Sequence, residues 1–198
     1  LFFFLSGLGL YLSHIQKPLG LKAFMRKRFS KIYFPYASIV ILSAVISLML
    51  PIYTNSIYAL GGHLFFYKMF DESIIGSYGY PLWFISTIIQ FYLSFHLIVF
   101  LKKKTKDIYF LIITVLISLL WSYLVIAIGK ESERVWNSFF LQYLWEFGLG
   151  VITAKRIVKG EHKKILKLKS ILTFSLGVGS CMLYALFALK GGEKGQMF

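Results

Sequence analysis

Three groups of residues in this 198-residue chain carry types and spacings suited to chemistry. The first is the basic run Arg26-Lys27-Arg28-Phe29-Ser30-Lys31, continuing as Ile32-Tyr33-Phe34-Pro35-Tyr36 into an apolar segment. On a helix Arg28 and Lys31 are three apart and share a face. Together they suit a phosphate, the arginine as a planar fork and the lysine as a point charge, with Arg26 in reserve. They equally suit anchors that fix topology at a membrane surface. The second group lies on Leu82-Trp83-Phe84-Ile85-Ser86-Thr87-Ile88-Ile89-Gln90-Phe91-Tyr92-Leu93-Ser94. Here Trp83, Thr87, Gln90 and Ser94 recur at spacings of four and three with Ser86 alongside, so one face of an apolar helix is polar. Such a face turns inward, either to line a substrate path or to hydrogen-bond a neighbouring helix for roughly 1 kcal/mol. The third is Glu146, in Leu144-Trp145-Glu146-Phe147-Gly148-Leu149-Gly150. A carboxylate at membrane depth costs several kcal/mol unless it is neutral, paired or near water, so it is a functional candidate with a structural pair as the competing reading. Gly148 and Gly150 permit close backbone approach.

The elements that must position these groups follow from composition. Hydrophobic residues make up 58% of the chain and charged residues only 15%, which excludes an ordinary soluble domain. The net charge of +14 would suggest nucleic acid in a soluble protein, but the basic residues lie between apolar runs rather than along one face, so no nucleic-acid partner is expected. The lone Cys181 lies within an apolar run and cannot close an internal disulfide, and no zinc pattern occurs. Apolar segments at 34–52, 82–101, 108–128, 135–154 and 170–189 are each long enough, or nearly so, to span a bilayer. Helices are the economical choice there, because every backbone polar group must be satisfied within its segment. The first apolar stretch ends near Leu12, too short to cross, and no Met precedes it. The expectation is an all-α, polytopic transmembrane bundle of about six spans in one domain over 1–198, with the first span partial and the chain truncated at its N-terminus.

Lysines and arginines of short loops stay on the cytoplasmic side. Most of the 22 fall in three segments: Lys17, Lys22, Arg26, Lys27, Arg28 and Lys31; Lys102, Lys103, Lys104 and Lys106; and Lys155, Arg156, Lys159, Lys163, Lys164, Lys167 and Lys169. The alternate segments hold only Lys68, Lys130, Arg134, Lys190 and Lys194. Every second loop is therefore basic, as an alternating thread requires. The loop from Tyr53 to Tyr80 exceeds a plain turn and, with Gly61-Gly62-His63 before Leu64-Phe65-Phe66-Tyr67, fits a short interfacial helix.

Four stretches, in order and spacing, resemble the acyltransferase-3 family of bacterial membrane acyltransferases. Leu1-Phe2-Phe3-Phe4-Leu5-Ser6-Gly7 is similar to the family's Phe-Phe-x-x-Ser-Gly helix, and Arg28 to Tyr36 to its Arg-x-x-Arg-Ile-x-Pro-x-Tyr entry. Pro81-Leu82-Trp83-Phe84-Ile85-Ser86 with Gln90-Phe91-Tyr92 resembles its Leu-Trp-x-x-Ser helix, and Phe147-Gly148-Leu149-Gly150 its glycine-bearing helix. Lys31 stands where the family usually has a second arginine, which keeps the charge and loses the fork. Ile88 and Ile89 stand where many members carry glutamates, and the family's helix bearing an arginine and the presumed catalytic histidine would precede Leu1.

The resemblance implies transfer of an acyl group, usually acetyl from acetyl-CoA, to a hydroxyl of a surface polysaccharide or lipid-linked glycan, in the bacterial cytoplasmic (inner) membrane and without a metal. Arg26, Arg28 and Lys31 are expected to hold donor phosphates; Ser6, Trp83, Ser86, Gln90 and Tyr92 to meet substrate; Glu146 and His63 to be the candidates for proton transfer. His14, His96 and His162 fall near the cytoplasmic side and suit packing or interfacial roles, with His14 kept beside His63 as a further candidate for the base. A rival reading from another class is a glycan exporter or a non-catalytic subunit of a glycan assembly system, in which polar helix faces line a path.

Overall fold

The computed structural model describes residues 1–50 and 56–160. Residues Leu1–Lys155 belong to one compact unit. The expected span at 170–189 lies outside the described residues. Among those described, every regular element is helical: α1 (Phe2–Gln16), α2 (Leu21–Met49), α3 (Ile57–Leu64), α4 (Trp83–Lys104), α5 (Asp107–Ala127), a single turn α6 (Arg134–Asn137) and α7 (Leu144–Val158), with 3-10 turns at Tyr67–Phe70, Tyr80–Leu82 and Phe140–Tyr143.

Three helices are long and apolar enough to cross a membrane: Leu21–Met49, Tyr80–Lys104 and Asp107–Ala127. Of these, α4 is the central one. Its residues Ser86 to Tyr92 are continuously buried, whereas α2 and α5 turn large apolar side chains outward, among them Ile41, Leu42, Leu48, Leu116, Leu119 and Leu120. In water such surfaces would drive aggregation; against acyl chains they carry no penalty. The protein is a multi-pass membrane protein.

Two departures from the sequence reading have physical reasons. α2 begins at Leu21 rather than near residue 34, so the whole basic run is helical and Arg28 and Lys31 ride on the helix that becomes the span. The stretch 135–154 is not one helix: α6 and the 3-10 turn precede α7. Buried side chains of neighbouring helices hold this irregular backbone. Thr87 Oγ1 donates to the Ser138 carbonyl at 2.6 Å, Ser118 Oγ to the Leu141 carbonyl at 2.7 Å, and the Phe140 amide donates to Gln90 Oε1 at 3.0 Å. Non-helical backbone is tolerated at membrane depth only where protein satisfies it in this way.

α1, α4 and α7 run in one direction and α2 returns. Phe3 at the start of α1 meets Tyr143 at 4.5 Å and Phe91 at 5.5 Å between ring centroids, while His14 near its end lies beside Phe95 and His96. Phe91 and Phe147 stack at 4.4 Å, and Phe24 of α2 stacks on Phe95 at 4.8 Å. At Gly7 and Gly150 the backbones of α1 and α7 leave no room for a side chain. A methyl at Gly7 would stand 2.2 Å from the Phe147 carbonyl oxygen, and one at Gly150 2.1 Å from the Phe4 carbonyl oxygen and 2.7 Å from the Leu8 nitrogen.

Candidate functional site

The basic segments meet at one end of the unit. Lys102 and Lys155 both reach Asp107 Oδ1 at 2.7 Å, which ties the α4–α5 connection to the end of α7. His96 Nε2 lies 3.1 Å from the Leu19 carbonyl, which brings in the α1–α2 connection. Asp107 is the only acid in its loop and sits among four lysines, a signal that charge counting alone passed over. On this end a groove of about 580 Å³ is lined by Lys22, Ala23, Arg26, Lys27 and Ser30. Arg26 therefore faces it, while Lys31 stands exposed further along α2. Arg28 turns inward. It is half-buried, its Nε is buried with no hydrogen-bond partner among the described residues, and its charge acts on the Tyr92 hydroxyl of α4. Phe24, one turn before Arg28, meets the Tyr92 ring at 5.9 Å, so this part of α2 packs on α4.

The polar face of α4 divides between two uses. Thr87 and Gln90 hold the 138–140 backbone, and Gln90 Nε2 also approaches Met69 Sδ at 3.7 Å. Ser86 Oγ, by contrast, is buried with no partner among the described residues. Ser6 on α1 is half-buried.

At the other end Trp83 stacks on Tyr143 at 5.9 Å, and Phe3 lies against both rings. Glu146, one turn into α7 from Tyr143, is partly open, with its side chain 20% exposed and Oε2 2.8 Å from the Leu1 nitrogen. Arg134 lies across this end with its guanidinium over the Trp83 ring at 4.7 Å and over the Tyr80 ring at 4.9 Å. The helix start that carries Trp83 therefore shares one surface with a carboxylate, an arginine and three aromatic rings. Among the described residues no His, Cys, Asp and Glu side chains gather as a metal site.

The profile of the acyltransferase-3 family, described as an acyltransferase domain, matches residues 1–196. The chain belongs to this family. It is accordingly a membrane acyltransferase, transferring a group other than an aminoacyl group. No curated protein and no solved structure matches it.

In this acyltransferase His63 is fully buried and both ring nitrogens are engaged. Nε2 lies 3.2 Å from the Ile74 carbonyl and 3.1 Å from Ser77 Oγ; Nδ1 lies 3.0 Å from Tyr36 Oη and 3.3 Å from Lys68 Nζ. A carbonyl can only accept, so Nε2 carries the proton and Nδ1 accepts. Lys68, also fully buried, donates to the Leu82 carbonyl at 3.2 Å and has no carboxylate partner among the described residues. Burial pushes the Lys68 ammonium down to about 7, and burial together with the Lys68 charge pushes the His63 imidazole down to about 4. Charge counting had placed Lys68 in a loop between spans, and no local spacing marks its burial against His63 and the Leu82 carbonyl.

A pH dependence follows. Between pH about 4 and 6.5 the unfolded chain binds a proton on His63 that the folded chain does not, so stability falls as pH falls through that window. For Lys68 the same relation holds from about 7 to 10.5, so stability rises with pH there. The unfolding midpoint of the detergent-solubilised protein should drop between pH 6.5 and 4, and the drop should shrink in His63→Gln. An equal drop in both proteins would remove His63 as its source.

Proposed function

We propose that this acyltransferase moves an acetyl group from acetyl-CoA to a hydroxyl of a surface polysaccharide or lipid-linked glycan, in the bacterial cytoplasmic membrane with its basic end in the cytosol. The observation that carries the reading is the separation of two chemistries along the bundle. Lys22, Arg26, Lys27 and the inward Arg28 gather at one end, and Glu146, Trp83 and Tyr143 at the other. The first suits the phosphates of a cytosolic donor. The second suits a sugar, which aromatic faces and a carboxylate recognise by stacking and by hydrogen bonds to hydroxyls.

In the reaction the acceptor oxygen attacks the thioester carbonyl, its C–O bond forms as the C–S bond breaks, and the hydroxyl proton passes through a base to the departing thiol. Arg26 and Arg28 hold donor phosphates, with Lys31 adding charge beside them. Tyr92 and Ser86, on the α4 face reached past Arg28, meet the donor arm, and Gln90 and Ser6 shape the path. Of the two candidates for proton transfer, Glu146 is the partly exposed one, with Oε2 held by the Leu1 nitrogen, whereas His63 is enclosed by Tyr36, Lys68 and Ser77.

The test is Glu146→Gln in the full-length protein, assayed as labelled acetyl passing from acetyl-CoA to glycan in isolated membranes. General acid–base groups contribute about 10²–10⁴-fold, so transfer should fall by at least about 100-fold. Transfer within about twofold of the unmodified protein would remove Glu146 from proton transfer.

A further inference from the structure

We infer that Arg134 anchors an oxyanion of the acceptor, a carboxylate or phosphate carried by the glycan itself, at the end of the bundle where Glu146 and Trp83 lie. The inference rests on the transfer reading above and adds a charge requirement to it.

Arg134 is immobilised without being neutralised. Its Nε donates to Tyr80 Oη at 2.8 Å, and the guanidinium plane covers the Tyr80 and Trp83 rings at 4.9 and 4.7 Å. No carboxylate pairs with it among the described residues, although two are close in sequence or space. Glu133 is paired with Lys130, and Glu72 receives the backbone amides of Arg134 and Val135 at 2.9 and 2.8 Å. The two terminal amino groups of the guanidinium make no hydrogen bond to any described residue. A guanidinium fixed through Nε and its faces presents these groups as a ready two-pronged donor, the geometry that carboxylates and phosphates accept. Because ring stacking and the Tyr80 bond already fix the side chain, little rotamer freedom remains to be lost on binding.

The neighbours give the site its direction. Trp83 carries Arg134 on its ring and also stacks on Tyr143, whose residue begins the turn leading to Glu146. A sugar lying on this aromatic surface with an anionic substituent on Arg134 would hold its remaining hydroxyls near the carboxylate.

The experiment uses the full-length protein in native membranes that contain its acceptor, with labelled acetyl-CoA. Arg134→Gln should raise the acceptor KM by about tenfold or more, the value of one charge-assisted hydrogen bond, and leave the KM for acetyl-CoA unchanged. Free glucuronate, and not glucose at the same concentration, should inhibit the unmodified protein competitively with acceptor, and this inhibition should be lost in Arg134→Gln and weakened in Arg134→Lys. An unchanged acceptor KM, or a parallel loss in kcat and both KM values, would overturn the inference. A lipid source is tested by reconstitution into phosphatidylcholine with and without phosphatidylglycerol. Activity that depends on phosphatidylglycerol through Arg134, with no inhibition by glucuronate, would assign the residue to a lipid headgroup and overturn the acceptor reading. Failure of the unmodified protein to transfer acetyl at all would instead overturn the reading on which this one stands.

Discussion

Arg28→Ala should abolish acyl transfer while the protein still inserts and folds, and Arg28→Lys should recover little of it. An arginine that merely fixes topology is replaceable by lysine, because only its charge is read. Arg28 is placed differently. It turns into the α2–α4 contact with a buried Nε that has no partner among the described residues, where a fork can grip a phosphate by two bonds and an ammonium by one. Losing two charge-assisted bonds costs about 3–6 kcal/mol, or more than 100-fold in the transition state. Stability should not fall with it, since removing a half-buried cation that lacks a partner among the described residues relieves a desolvation cost. Transfer rates near normal in a stably inserted Arg28→Ala protein, or full rescue by lysine, would return the residue to the role of an anchor.

Gly150→Leu should unfold the bundle rather than modify its chemistry. The methyl alone would lie 2.1 Å from the Phe4 carbonyl oxygen and 2.7 Å from the Leu8 nitrogen, both backbone atoms that no side-chain rotation can move. α1 and α7 would have to part, and with them the contacts of Phe3 and Phe147 on Phe91. Overpacking against mobile side chains costs about 1–3 kcal/mol; against two backbones the cost should exceed about 3 kcal/mol. The proper control is Gly9→Ala on the same helix, where nothing lies within 4 Å of the added carbon. Thermal unfolding in detergent should show a large fall for the first and little change for the second. Equal midpoints would mean that the two helices are not in contact.

Much of this was legible in the residues because hydrocarbon is an unforgiving solvent. Long apolar runs had to be helices, and the alternation of basic loops had to bring Lys102, Leu19 and Lys155 to one end, as the Asp107 and His96 contacts bear out. Gly150 was legible as a close backbone approach, since only glycine allows one, whereas Gly148 faces the Thr114 side chain. The helical break before α7 was not. Phe139-Phe140-Leu141 reads as span by hydropathy, and the polar partners that permit its irregular backbone, Thr87, Gln90 and Ser118, lie 23 to 51 residues away in the chain. The same holds for Arg134 and Lys68. Charge counting assigned both to loops, whereas the fold lays one on two aromatic rings and buries the other against His63. Pairings across sequence distance leave no local period, so residue spacing cannot announce them.

The central claim is catalysis of acyl transfer, not passage of a glycan. It is tested most directly by supplying acetyl-CoA labelled in the acetyl group to membranes made with and without the full-length gene, and by counting label fixed on glycan together with the amount of glycan exported. The account predicts that label appears only with the gene and that export is the same in both membranes. Export that stops without the gene, with no label fixed when it is present, would contradict it and make the protein a transporter.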